Sequence, residues 1–117
     1  MSDRGSAVVE FALVLPIVLV VMLGVVEVAV VARAQLEVSQ AAREGVREAA
    51  TNPDSEAAVG VVHGFLNTDR ARVAVSREHR IGGRAEVTVR LRHTIAAPLF
   101  GGFDVTLIGR STMRVER

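Results

Sequence analysis

Residues Phe11–Val26 read FALVLPIVLVVMLGVV, 16 positions without a charge. If Glu27 is tolerated, the apolar run continues through Ala32, for 22 residues. At the rise of an α-helix these lengths span roughly 24 and 33 Å, against a hydrocarbon core of about 30 Å. The stretch therefore reads as a single transmembrane helix whose membrane part covers about residues 11–32. A buried helix of a soluble protein is the bland alternative, but the rest of the chain is too small to wrap a helix that is apolar all round. A cleaved secretory signal is the other: Ala32-Arg33-Ala34 has the small-x-small form that signal peptidase cuts, and cleavage there would release a secreted binding domain starting at Gln35. Against it, the apolar core exceeds an h-region of about 7–15 residues, and the leading MSDRG is hardly positive.

The composition narrows the classes further. A chain of 117 residues has one domain as its prior, and with 50% hydrophobic residues it does not have the makeup of a disordered chain. Four Phe are the whole aromatic set and the net charge is +1, so neither a stacking platform nor a basic footprint for nucleic acid stands out. Without cysteine there is no disulfide, no thiolate metal site and no Cys nucleophile. The three histidines, His63, His79 and His93, are too far apart in sequence to form a helical metal pair, and no P-loop or G-x-S-x-G occurs. We expect no enzymatic activity, no metal and no cofactor.

Upstream of the apolar run, Arg4-Gly5-Ser6-Ala7-Val8-Val9-Glu10-Phe11 forms a short polar leader ending in Gly, four small or apolar residues, a Glu and an aromatic. A carboxylate in a spanning helix costs about 2.5–3.5 kcal/mol at the bilayer centre and less near the surface. Glu10 is thus either an interfacial residue that snorkels or one that finds a cation in another subunit. An α-amino group freed by cutting after Gly5 is a suitable cation, and a positive helix N-terminus also favours a nearby carboxylate.

Gly, four residues, Glu and an aromatic, placed directly before one membrane span, resembles the cleavage site of type IV prepilins and pseudopilins. Two further stretches, Gly24-Val25-Val26-Glu27 and Ala41-Ala42-Arg43-Glu44-Gly45-Val46-Arg47-Glu48-Ala49-Ala50, extend the likeness. Together with Gly5–Pro16, they make residues 5–50 similar to the TadE-like family, minor pilins or pseudopilins of the tight-adherence (Flp) pilus apparatus. The C-terminal part matches only loosely, through Arg110–Glu116.

The resemblance implies a prepilin-type leader over residues 1–5, cut by prepilin peptidase between Gly5 and Ser6 on the cytoplasmic side. It implies partners: other pilin or pseudopilin subunits met through their N-terminal helices, the inner-membrane pilus assembly platform, and the lipid bilayer. Glu10, Phe11, Pro16, Gly24 and Glu27 are the candidate assembly contacts. It also implies a single pass in the cytoplasmic membrane with the C-terminal domain extracytoplasmic, and incorporation in an extracellular pilus. Basic residues flanking the span, Arg4 against Arg33, Arg43 and Arg47, taken literally favour the reverse orientation; the motif is the more specific signal. Two other classes remain open: an uncleaved single-pass envelope interaction protein, and the secreted domain released after Ala34.

The helix continues past the membrane. Val31, Ala34, Val38, Ala41, Ala42, Gly45, Val46 and Ala49 recur at spacings of three and four, one helical face. Arg33 and Glu37 support it at i,i+4. Thr51-Asn52-Pro53-Asp54 ends it. A helix over residues 6–50, half in the membrane and half a spine for a small domain, follows the pilin plan. Ala41, Ala42 and Gly45 are the candidate packing residues. Gly45 is either a close approach by the chain's own sheet or a neighbouring subunit, or a tolerated Gly. Pro16 is either a passive kink or a point of local opening in assembly. Glu27 is either a snorkelling end marker or a subunit contact.

Residues 51–117 read as a small extracytoplasmic α+β domain. Ser55 is placed to cap a second helix, Glu56–Leu66, with Ala58, Val61, Val62, Phe65 and Leu66 as its apolar set. The period then changes to two. Arg72–Arg77 is a strand, Ile81-Gly82-Gly83 a turn, and Arg84–Ile95 a strand with Ala85, Val87, Val89, Leu91, His93 and Ile95 on one face. A last strand covers about Asp104–Val115. His93 reads as a satisfied core histidine. The polar face carries Arg90, Arg92, Arg110 and Arg114 and is either solvated or paired with anionic lipid heads or an acidic partner. Phe100-Gly101-Gly102-Phe103 is either a docking knob or a loop that folds its Phe back on the core. The expected fold is α+β and type IV pilin-like: a long N-terminal transmembrane and spine helix, a short second helix, and a three-stranded antiparallel sheet packed on the spine.

Overall fold

The computed structural model describes residues 3–68, 70–95 and 101–116. Its elements in chain order are α1 (Asp3–Thr51), α2 (Ser55–Leu66), β1 (Arg72–Arg77), β2 (Arg84–Ile95) and β3 (Phe103–Arg114). The three strands form one antiparallel meander in the order β1-β2-β3. This is the expected α+β arrangement, with α1 starting at Asp3 rather than Ser6. The chain divides into two units, Met1–Val31 and Ala32–Arg117.

The first unit is the leading part of α1. Its large apolar side chains are exposed all round, Phe11 at 67% and Leu13 at 68% among them. The helix is long and apolar enough to cross a membrane, and none of its most apolar 18-residue window is buried. Within this chain it is therefore not the core helix of a soluble fold. Each such side chain left in water forgoes about 1.5–3 kcal/mol relative to burial, so the segment calls for an apolar surrounding from outside the chain.

The second unit has a core of small side chains. From α1 it buries Val38, Ala41, Ala42, Gly45, Val46, Ala49 and Ala50. α2 adds Ala58 and Val62, and the sheet adds Ala85, Val87, Val89 and Leu107. With no aromatic among them, the core closes through short distances between backbones, and two glycines set those distances. A Cβ on Gly45 would stand 2.6 Å from Val62 Cγ2 and 3.2 Å from Val87 Cγ1. Gly45 is thus where α1 meets the chain's own α2 and β2. A Cβ on Gly109 would stand 2.6 Å from the Val38 carbonyl oxygen and 3.0 Å from Ser39 Cα, so β3 lies directly on the helix backbone. Gln35 Nε2 also donates to the Ile108 carbonyl at 2.7 Å.

The C-terminal end of α1 leaves carbonyls without helical partners, and the sheet supplies them. Arg77 Nε donates to the Ala49 carbonyl at 2.6 Å, and the Glu116 N–H to the Ala50 carbonyl at 2.9 Å. The guanidinium also meets the negative end of the helix dipole. Thr51 Oγ1 donates to the Arg47 carbonyl at 3.2 Å, and Pro53 bars continuation.

Three expectations need correction. Asp54, not Ser55, caps α2: it holds the extended backbone of a cap (φ −81°, ψ 107°) and its Oδ1 accepts from Glu56 N–H at 3.0 Å. Asn52 Oδ1 accepts from Asp54 N–H at 2.9 Å and closes the turn that sets this conformation. Phe65 is 46% exposed rather than part of the core, because only the side of α2 bearing Ala58 and Val62 is covered. His93 is only half-buried; the histidine with a structural bond is His63, whose Nε2 lies 3.0 Å from the Ala71 carbonyl. Strands β1 and β2 have the expected limits, and β3 is displaced by one residue, Phe103–Arg114 for Asp104–Val115. Of the loop expected at Phe100-Gly101-Gly102-Phe103, Phe100 lies outside the described residues, and Phe103 is 55% exposed.

Candidate processing and assembly segment

The residues picked out for processing and assembly lie on the first unit. Gly5 and Ser6 are helical and exposed in the opening turns of α1, with Asp3 in the first turn, where a carboxylate suits the dipole. A Cβ on Gly5 would meet nothing within 4 Å, so no packing demand of this chain accounts for a glycine there. The same holds for Gly24. Both cost the helix about 1 kcal/mol relative to Ala.

By the helical period, Glu10, Val14, Ile17, Val21 and Gly24 fall on one stripe, with Phe11 beside it. Every member is exposed. Glu10 is the single charge of an apolar stripe that ends in a glycine, and Glu27 follows one turn later, partly covered. Pro16 sits inside α1 without ending it, which leaves the Ala12 carbonyl without its helical donor. The arrangement offers an apolar surface, one carboxylate and one backbone acceptor to whatever surrounds the helix.

Ala41, Ala42 and Gly45 are instead buried in the second unit, against the chain's own domain. Arg33 Nε and Glu37 Oε1 form the i,i+4 pair at 3.4 Å.

The strand register completes the polar sheet face. Arg72 pairs with Arg90 and Arg84 with Arg114, so six arginines share the face: Arg72, Arg84, Arg90, Arg92, Arg110 and Arg114. Two acids share it with them. Glu86 lies 3.7 Å from Arg110, and Asp104 lies 4.0 Å from Arg92 while accepting from Thr94 Oγ1 at 2.7 Å. Arg72 and Arg84 were not among the arginines read from the sequence; both stand at strand starts, and pairing with Arg90 and Arg114 puts them on this face. Both ion pairs are well exposed, which limits each to below about 1 kcal/mol. Among the described residues no group of His, Asp and Glu is placed to hold a metal ion.

Comparison with known proteins gives a family match over the N-terminal part of the chain. The family model described as TadE-like protein matches residues 5–47, a little over a third of the chain. The matched segment takes in Gly5, Ser6, Glu10, Phe11, Pro16, Gly24, Glu27, Ala41, Ala42 and Gly45, and bears out the resemblance read from those residues. No curated protein and no solved structure matches the chain.

Proposed function

With the TadE-like segment over residues 5–47 as premise, we propose that the chain is a minor pilin or pseudopilin subunit of a tight-adherence (Flp) type IV pilus assembly or secretion machine. In this reading prepilin peptidase removes residues 1–5, the helix from Ser6 anchors the subunit in the cytoplasmic membrane, and the domain beyond Ala32 is extracytoplasmic. Its role is architectural, with no catalysis and no cofactor. The observation that carries the reading is the exposed apolar helix of the first unit, in which Glu10 is the sole charge on its stripe and Gly5 and Gly24 have no packing role within the chain.

The mechanism follows from those residues. Cleavage after Gly5 creates an α-ammonium at Ser6. The five residues from Ser6 to Glu10 rise roughly 6 Å, so a neighbour displaced by about one helical turn along the filament axis brings its ammonium to this Glu10. In a low-dielectric setting this pairing removes the cost of a bare carboxylate. It therefore rewards one axial register and penalises others, while the apolar stripe supplies adhesion. The small domain adds bulk that a bare helical subunit lacks, which suits a minor component better than the main filament subunit.

The chain has no cysteine, so single Cys residues introduced at Val14 or Val21 report helix contacts without background. In cells carrying the pilus machine, these variants should crosslink to pilin or pseudopilin helices, and Glu10→Gln should abolish the crosslinks while the protein stays in the membrane. Unchanged crosslinking in Glu10→Gln sinks the register role. No crosslinks to any pilin-type helix in the parent would leave an uncleaved envelope protein with the same fold.

A further inference from the structure

We propose that the arginine face of the sheet binds an acidic polysaccharide, a linear sugar chain carrying carboxylates. The proposal goes beyond the pilin reading and rests on the second unit alone.

The first observation is the concentration of charge. β1, β2 and β3 place six arginines on this face against two acids, Glu86 and Asp104. Both acids are taken, Glu86 by Arg110 at 3.7 Å and Asp104 by Arg92 at 4.0 Å. Among the described residues Arg72, Arg84, Arg90 and Arg114 have no carboxylate at ion-pair distance. The chain as a whole carries a net charge of only +1, so the excess belongs to this face.

The second is the register. Arg72 stands directly opposite Arg90, and Arg84 directly opposite Arg114. Like charges at opposed positions destabilise a sheet. Folding alone gives no reason for two such pairs. A bound anion does, because a carboxylate between two guanidiniums turns repulsion into charge-assisted hydrogen bonds. Arg84, Arg114 and Thr112 also line an open concavity of about 550 Å³ beside the Gly82-Gly83 turn. Glu78 shares it, but its Oε2 lies against Gly83 and forms no ion pair with either arginine.

The third selects the occupant. Between the arginines, Ser76, Thr106 and Thr112 present exposed hydroxyls. No aromatic ring stands on the face, and Ile108, 48% exposed, is its one large apolar side chain. A protein partner is held by a cluster of apolar and aromatic anchors, which this face lacks. Single-stranded nucleic acid needs rings to stack on. A sugar chain needs neither: its carboxylates suit the arginines and its hydroxyls suit the Ser and Thr side chains. Along β2 the arginines run from Arg84 to Arg92, roughly 27 Å, a track for several sugar units.

The test uses the full chain in zwitterionic detergent micelles, with fluorescein-labelled polygalacturonate as probe and neutral dextran as control, read by anisotropy. Polygalacturonate should bind saturably and dextran should not. Binding should weaken with salt, as the screening length falls from about 10 Å at 0.1 M to about 3 Å at 1 M. The double variants Arg72→Gln/Arg90→Gln and Arg84→Gln/Arg114→Gln should each weaken it about tenfold, two exposed ion contacts being lost. Their midpoints in urea should not fall, since each change relieves a like-charge pair. Arg43→Gln/Arg47→Gln, which removes as much charge from the exposed side of α1, should bind as the parent does. No binding of polygalacturonate, or an equal loss in the α1 variant, overturns the proposal. Competition by poly-glutamate or duplex DNA at lower concentration than unlabelled polygalacturonate overturns the choice of occupant. A lower urea midpoint in both sheet variants makes the arginines structural and overturns it as well. None of these outcomes depends on cleavage after Gly5.

Discussion

Gly109→Ala is the substitution that probes the packing of β3 on α1 most sharply. The added methyl would stand 2.6 Å from the Val38 carbonyl oxygen, 2.8 Å from its carbon and 3.0 Å from Ser39 Cα. All three are helix backbone atoms, so no side-chain rotation relieves the overlap. β3 must lift from the helix by several tenths of an ångström, which opens the contacts of Leu107 and the bond from Gln35 to Ile108. Overpacking of this kind costs typically about 1–3 kcal/mol, and the rigid partner puts this case near the top. Gly45→Ala is the internal comparison. Its methyl meets Val62 Cγ2 at 2.6 Å, a side-chain atom, and Ala gains about 1 kcal/mol of helix propensity over Gly. The net cost there should be near 1 kcal/mol. The assay is tryptic pulse proteolysis of the full chain in detergent micelles across urea; every basic residue is Arg, so cleavage sites are spread through the second unit. With a slope of about 1–2 kcal/mol per molar urea, Gly109→Ala should lower the midpoint by about 1.5–3 M, and Gly45→Ala by clearly less. An unchanged midpoint for Gly109→Ala, or a larger loss at Gly45, would refute the backbone contact as the element that sets the sheet's distance.

Asp54→Ala should cost about 1 kcal/mol in the same assay through loss of the α2 cap, while Ser55→Ala should be close to neutral. Arg77→Leu should cost about 1.5–3 kcal/mol, because it removes a charge-assisted bond to the Ala49 carbonyl at the end of α1. Glu86→Gln should move the midpoint by less than about 1 kcal/mol, with the difference shrinking further at high salt, since its pair with Arg110 is exposed.

Legibility differed by element, and the reasons are physical. Strands β1 and β2 were readable to the residue, because each face alternates without interruption, arginines bound β1 at both ends and Arg84 opens β2 after the Gly82-Gly83 turn. The end of α1 was readable from Asn52-Pro53, since Pro excludes helix before it. The α2 cap was not: Asp54 and Ser55 are equally good cap residues, and the choice is made by the local turn in which Asn52 Oδ1 accepts from Asp54 N–H. Gly109 looked like one more residue of an alternating strand, since its demand comes from a helix 70 residues earlier in the chain. Phe65 was drawn into the core by its spacing from Val62, but a short helix covered on one side has a narrower buried stripe than the pattern suggests. For the candidate site the order was reversed. Gly5 and Glu10 were legible through a family motif, while the geometry of a single chain leaves both exposed and unengaged, because the groups proposed to meet them belong to other molecules.

The central claim is that this chain is a subunit processed as pilins are. Intact mass and N-terminal sequence of the membrane-extracted protein, expressed with and without its cognate prepilin peptidase, test it most directly. The account predicts a new N-terminus at Ser6 that depends on the peptidase and is lost in Gly5→Val. A start at Gln35, or an N-terminus unchanged by the peptidase, would contradict it.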